Sequence, residues 1–429
     1  MKKIILTILL ILLITQSGVT QLKLFGLDQM IVTDLRFYGN ILYASTDNYG
    51  IFNCSLPDTI WTPLGLEGKT IRTVYPHQVG PLGFAVTVGV EPDRVEGDST
   101  LVYCWFNQTW NKTDSGMIHE NTWEIRSIDG IPTPQVCGET FAGGSGKVFR
   151  KKTDFWEKVF EGAVINVVRV SPTYEIWIGG ETNIFWPFIA KSTDIGDTWM
   201  MMYPNLAGDN ACNSIAFDPS DSNIVYAGME GVVIKTTDGG LNWERTGLTN
   251  TSFYLRGLAV DQPFPNHIYA GGIAVPDSLG FFESTDGGTT WQNIPAPKGT
   301  KGISSIEINP SDHRDVFIST LGSGVFRYRS PIVDAREVQI LPTKFRLDQN
   351  YPNPFNLITS IEYHTPKALF VTLKVYNVIG QEVATLVNED KKIGRYEVEF
   401  NASSHSNGVY FYRLQTSDHI ETKKLLLMK

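Results

Sequence analysis

Charged residues are scarce, at 19% of 429, against about a quarter in ordinary soluble domains. That deficit argues against a surface built of solvated helices. Net charge is −9 with no basic stripe, which excludes a protein that tracks nucleic acid and makes polyanionic membrane surfaces poor partners. No G-x-S-x-G elbow, H-E-x-x-H pair or phosphate-binding glycine loop occurs, so the usual motif-borne hydrolase and nucleotide chemistries are missing. The seven histidines show no ligand spacing and read as solvated surface. Cys54, Cys104, Cys137 and Cys212 fit no zinc pattern, and we expect no metal and no cofactor.

Long apolar runs are equally lacking. The exception, Ile4–Ile14, is eleven residues long, too short for a bilayer helix. It follows Lys2 and Lys3 and precedes the small polar Gln16–Thr20, the order of a secretory signal peptide. Residues 1–20 are therefore expected to be removed, with cleavage near Gly18–Gln21. No cysteine follows the run to carry a lipid, and no transmembrane helix is expected in the mature chain. Outside the cytoplasm the four cysteines could pair, but they fall in different structural repeats and read better as buried thiols.

What the chain has is aromatics (12%), 39 glycines and a repeat. Ser284–Trp291 reads S-T-D-G-G-T-T-W, Thr236–Trp243 reads T-T-D-G-G-L-N-W, and Ser192–Trp199 reads S-T-D-I-G-D-T-W. Each follows a short apolar run, as expected of two strands joined by an Asp-Gly turn. Successive aspartates (Asp194, Asp238, Asp286) lie 44 and 48 residues apart, the length of one four-stranded propeller blade. An aromatic-small-small second strand recurs at Tyr43, Phe84, Phe141, Trp177, Tyr226, Tyr269 and Phe317. That gives seven blades, near 31–66, 71–115, 122–162, 164–208, 213–249, 255–298 and 302–331. The seventh lacks an outer strand, and residues 22–27 (L-K-L-F-G-L) are left over to supply it. The expected fold is all-β: a seven-bladed β-propeller over 21–331, a linker over 332–342, and a small Ig-like β-sandwich over 343–429.

The repeated turns resemble the Asp-box, or BNR repeat, of sialidase-like β-propellers. The resemblance implies that they join the outer two strands of a blade, away from the ligand face. Asp194, Trp199, Asp238, Trp243, Asp286 and Trp291 are then structural. Residues 343–429 are similar to the type A C-terminal sorting domain of the type IX (Por) secretion system. The matching runs are L-D-Q-N-Y-P-N-P-F-N at Leu347–Asn356, V-Y-N-V-I-G at Val375–Gly380, G-V-Y-F-Y-R-L at Gly408–Leu414 and K-K-L-L-L-M-K at Lys423–Lys429. Leu357 departs from the pattern, which usually has a second proline there. The resemblance implies Sec export to the periplasm, the type IX machinery as partner through 343–429, and delivery to the outer cell surface or the medium.

Propellers bind ligands at the mouth of the central channel. Alignment of the seven first strands puts Thr33, Arg72, Arg126, Asn166, Asn213, Arg256 and Ser304 there, as polar groups with free donors. Arg72, Arg126, Asn166, Asn213 and Arg256 are the candidate ligand-binding residues, and three arginines around one funnel would draw an anion or acidic glycan. Sialidases also use an arginine triad, but no R-I-P box occurs. Asp34, Asp93 and Glu181 lie near that face without forming a recognisable catalytic pair. Two loops, 88–100 and 179–187, exceed the minimal blade; Phe185 and Trp186 could stack on sugar but read better as packed on a neighbouring blade. The catalytic residues stay unassigned. The chain reads as an exported, non-catalytic recognition module for carbohydrate or protein; a glycoside hydrolase of the sialidase-like group and an assembly or scaffold factor are the alternatives.

Overall fold

The computed structural model describes residues 22–428 except 80–82, 93–98, 118–123, 132–138, 153–154, 163, 183–185, 205–210, 250, 275–277, 332–344, 351, 392–393 and 418. The expected signal peptide and linker, Asp93, Cys137 and Phe185 lie outside these. The described residues contain strands and turns and no helix, and none therefore crosses a membrane as one. The chain divides into two compact units, Met1–Ser330 and Pro331–Lys429.

Seven four-stranded antiparallel sheets make up the first unit. Six are consecutive meanders over 32–65, 70–112, 127–161, 164–202, 214–245 and 254–293. The seventh takes Ile303–Ile308, Asp315–Thr320 and Val325–Arg329, with Leu22–Gly26 as its fourth strand. There Leu22 pairs with Tyr328 and Gly26 with Val325, so the two ends of the unit share one sheet and leave no open edge between them.

The sheets join through their first strands. The Thr33 hydroxyl donates to the Ile71 carbonyl (2.5 Å), and Ser127 Oγ accepts from Val168 N (3.0 Å). Ser214 Oγ donates to the Leu255 carbonyl (2.8 Å), and Ser304 Oγ returns from the seventh sheet to the Val32 carbonyl of the first (2.5 Å). The cores lie between sheets. Trp177, fully buried, meets Phe217 and Trp243 of the next sheet edge-on, with ring centroids 6.0 and 6.5 Å away. The small residue of the second-strand motif permits this approach: a Cβ on Gly271 would run into Ile303 and Ile306 of the following sheet.

The repeated turns join the third and fourth strands of sheets four, five and six. In each, one carboxylate closes the loop. Asp238 Oδ1 accepts from Asn242 N and from the Thr236 hydroxyl (2.8 Å each), while Gly240 N donates to Thr236 Oγ1 and Trp243 Nε1 to the Gly240 carbonyl. Asp194 and Asp286 bond in the same way. Hydrogen bonds from Thr198 hold the Asp194 carboxyl down at about 2. Each turn is also caught by the preceding sheet. Arg150 Nη1 donates to the Ile195 carbonyl, Lys191 Nζ to the Gly239 carbonyl, and the Tyr226 hydroxyl to the Gly287 carbonyl. Gly240 is locked at φ +97°, where a Cβ would strike Met202 Sδ and meet Trp177. Gly240→Ala is expected to cost about 1–3 kcal/mol, measured as a drop in the urea midpoint.

Cys54 and Cys212 are buried free thiols, and Cys104 is buried as well. The surface expected for the histidines is wrong for two of them: His267 and His77 are buried, at 1% and 5% exposure. His267 sits between two carboxylates, and His77 stacks on Tyr75; ion pairing and ring contact, invisible to spacing, carry both inward. Trp186, expected to pack on a neighbour, is 65% exposed.

In the second unit, a three-stranded sheet (Arg346–Leu347, Ile358–Thr365, Gly394–Asn401) and a four-stranded sheet (Leu369–Tyr376, Glu382–Lys391, Gly408–Gln415, Ile420–Leu427) enclose one core. Strict alternation makes it: along Ile358–Thr365 every second side chain is buried. The Pro-Asn run is stitched to the last strands. Asn350 N donates to the Tyr412 hydroxyl (2.9 Å), which itself donates to the Asp348 carbonyl (2.6 Å). Asn353 Oδ1 accepts from Leu426 N (2.9 Å), and Phe355 pairs with Leu427.

Candidate ligand site on the axis of the ring

Every first strand contributes to one cavity of about 340 Å³, lined among others by Thr33, Arg72, Arg126, Asn166, Asn213, Arg256 and Ser304. The sequence alignment thus brings together seven residues that the fold also brings together. A shared backbone device aims them. Register slips by one residue between Val32 and Asp34, Ile71 and Thr73, Ile165 and Val167, Leu255 and Gly257, and Ile303 and Ser305. Thr33, Arg72, Asn166, Arg256 and Ser304 are the extra residues of these bulges, and a bulge re-aims its side chain. In sheets three and five the same place is taken just ahead of the strand, where Arg126 N and Asn213 N bond the Gly143 and Gly228 carbonyls.

The expectation of free donors all round the mouth does not hold. Thr33 and Ser304 spend their hydroxyl protons on the carbonyls of the next sheet. Asn166 Nδ2 donates to Asn213 Oδ1 (3.3 Å), and Asn166 Oδ1 accepts from Arg126 Nη1 (2.8 Å). Arg72 pairs with Glu91. Glu124 uses both oxygens: Oε1 lies 2.6 Å from Arg126 Nε and Oε2 lies 3.7 Å from Arg72 Nε, the second too long for a hydrogen bond. Arg256 alone makes no hydrogen bond or ion pair among the described residues. Burial, then the charges of Arg126 and Arg72, lower its guanidinium from the usual range. These three arginines line the same cavity, close enough for the charges of Arg72 and Arg126 to act on Arg256.

Deeper down, the cavity gives way to a charge cluster. Arg36 Nη1 bonds Glu307 Oε1 (3.2 Å). Burial would lower the Arg36 guanidinium, but Asp34, Glu307 and Asp129 outweigh it and raise it. Burial and the neighbouring Arg36 pull Arg169 down to about 10. Asp34 serves the ring itself, accepting from Leu35 N, Thr73 Oγ1 and Val74 N. Glu181 ends the second strand of sheet four; burial and then Glu230 raise its carboxyl.

Sequence reasoning missed Glu124, Glu91 and Arg169. Glu124 was within reach: it stands two residues before Arg126, on the same side of an extended chain. In the second unit, Asp348, Glu362 and His364 bring ligand-type atoms within 4.8 Å of one another, but they are already paired: His364 Nε2 lies 2.6 Å from Glu362 Oε1, and Arg346 Nε bonds Asp348.

Residues 349–428 match the family of secretion system C-terminal sorting domains. The protein is secreted or held at the cell surface, through type IX secretion. Over its length the chain resembles propeller-like solved structures at low identity. PorZ, a surface component of the type IX secretion system of Porphyromonas gingivalis, is 14% identical with a TM-score of 0.51, over 95% of this chain and 59% of PorZ. The GH74 xyloglucanase of Xanthomonas campestris is 15% identical with a TM-score of 0.56, over 79% of this chain and 59% of the enzyme. These likenesses speak for the fold alone. In sequence, 156 residues are 24% identical to a xyloglucanase of Hypocrea jecorina (strain QM6a), 36% of this chain but only 18% of that enzyme.

Proposed function

We propose that the first unit is a seven-bladed Asp-box propeller over 21–331 that binds, without turning over, a ligand bearing an anionic group, such as an acidic glycan. In this reading residues 1–20 are the signal peptide, 332–342 the linker, and 343–429 an Ig-like sandwich that engages the type IX machinery. Arg72, Arg126, Asn166, Asn213 and Arg256 form the ligand site. One observation carries it: Arg256, which makes no hydrogen bond or ion pair among the described residues, lines a cavity to which all seven sheets contribute. A protein ligand or a scaffold role would use the same mouth.

Binding is favoured over hydrolysis because Asp34 and Glu124, the carboxylates that line the cavity, are both engaged. Glu181 supports the second reading. Its raised carboxyl beside Glu230 has the character of a general acid in a glycosidase pair. A carbohydrate array run with a hydrolysis screen on the full mature chain separates the two. Acidic glycans should be retained, and Arg256→Ala should weaken them at least about tenfold, the value of a charge-assisted hydrogen bond. Retention of all glycans by Arg256→Ala refutes the site. Turnover abolished by Glu181→Gln replaces binding with hydrolysis.

A further inference from the structure

We propose that Glu124 is the residue that sets the charge the site will accept. This rests on the anion-binding reading above and adds to it a ligand class: a single anionic group on an otherwise neutral, hydroxylated body, rather than a polyanion.

The argument begins with the places an anion could occupy. A carboxylate or sulfate seeks a guanidinium whose donors are unspent. Between Arg72 and Arg126 that position is filled by the chain itself. Glu124 extends one oxygen to each arginine, 3.7 Å from Arg72 Nε and 2.6 Å from Arg126 Nε. Its backbone is fixed in turn, Glu124 N donating to Ser145 Oγ (3.2 Å). Glu91 pairs with the remaining side of Arg72. Glu91 and Glu124 thus pair with Arg72 and Arg126, and of the three guanidinium groups Arg256 is the surplus one, with no hydrogen bond or ion pair among the described residues.

Selectivity follows from that surplus. A ligand with one negative group satisfies Arg256 and leaves the Glu124 clasp intact. A second or third negative group would have to share a cavity of about 340 Å³ with Glu124, whose side chain is only 19% exposed, and like charges at close range repel. Entry of a polyanion thus requires displacement of Glu124 from two partners at once. Rejection by a like charge is a usual means of specificity.

The neighbouring groups suit a hydroxylated body. Tyr254, two residues before Arg256 on the same strand, is 38% exposed and supplies an aromatic ring at that end of the sheet. The Asn166–Asn213 amide pair occupies the two sheets next in order before it, with unused acceptor capacity on Asn213 Oδ1.

Two probes test this by calorimetry at low ionic strength on the mature chain: glucuronate, with one carboxylate, and myo-inositol hexasulfate, with six sulfates. Methyl glucoside is the uncharged control. The wild type should bind glucuronate at least tenfold more tightly than methyl glucoside and should not prefer the hexasulfate. Glu124→Gln, nearly isosteric, should tighten the hexasulfate at least tenfold and change glucuronate less than threefold. Glu91→Gln, which frees Arg72 from the other side, should shift the ratio in the same direction and stands in if Glu124→Gln does not fold. A ratio unmoved by either variant overturns the role of Glu124 while leaving the anion site in place. Loss of glucuronate binding in Arg256→Gln supports the seat on which the inference rests. Glucuronate bound equally by wild type and Arg256→Gln, or no tighter than methyl glucoside, defeats both readings.

Discussion

Deletion of Leu22–Gly26 should lower the melting temperature of the mature protein by about 10 °C, or prevent it from folding. Leu22 is buried among Tyr269, Phe281 and Tyr328, and Phe25 sits edge-on to both Phe317 and Trp61, at 4.8 and 6.0 Å between centroids. Burial of two such side chains contributes about 3–6 kcal/mol. Each kcal/mol is worth roughly 2–4 °C in a unit of this size. Deletion also strips the hydrogen-bonding edge of Val325–Arg329 and uncovers the first sheet, because Trp61 packs against Gly26. Thermal unfolding followed by near-ultraviolet circular dichroism reads the effect. A melting curve identical to that of the intact chain would show that three strands suffice to hold the seventh sheet.

The second large effect concerns Glu283, 2% exposed. Its Oε1 receives His267 Nε2 (2.7 Å), the Tyr269 hydroxyl (3.0 Å) and Ser330 Oγ (2.7 Å), and its Oε2 the Tyr328 hydroxyl (2.8 Å). This one carboxylate ties sheet six to sheet seven and to the last residue of the first unit. Glu283→Ala should cost about 3–5 kcal/mol, because it orphans a buried charge and several buried donors. The loss should vary with pH. Burial would lower His267, but the neighbouring Asp261 and Glu283 carboxylates raise it. Burial would raise Glu283 and Asp261, but their histidine partners lower them. A raised histidine stabilises fully below its unfolded value of about 6.5 and loses that contribution as pH climbs through its folded value. Lowered carboxylates stabilise fully above their unfolded values of about 4 and lose that contribution as pH falls through their folded values. The difference between wild type and Glu283→Ala should therefore peak near pH 5–6 and shrink on both sides, as measured by urea unfolding across pH. A difference flat from pH 3 to 9 would mean that the group packs but does not pair.

Much of the ring was legible because its determinants are local. An Asp-Gly turn, a following Trp and an aromatic-small-small strand each specify a few consecutive residues, and their recurrence gives the spacing of the sheets. The position of the mouth residues was legible for the same reason, since each opens a first strand. Their state was not. Whether Arg72 is free depends on Glu91, a strand away, and on Glu124, in the next sheet. The Glu283 cluster draws on Asp261, His267, Tyr269, Tyr328 and Ser330, which no window along the chain contains. Such pairings arise only once the sheets are laid side by side. For that reason the burial of His77 and His267 escapes a reading by spacing, and so does the use of the Thr33 and Ser304 donors by the adjoining sheet.

The pairing of Leu22 with Tyr328 also bears on timing. Leu22–Gly26 has no strand partner until Val325–Arg329 has been made, and closing so wide a loop costs entropy late in folding. Until then the nascent protein has a clasp with nothing to fasten to. A late-fastening clasp leaves the seventh sheet one strand short until the whole of the first unit has been synthesised.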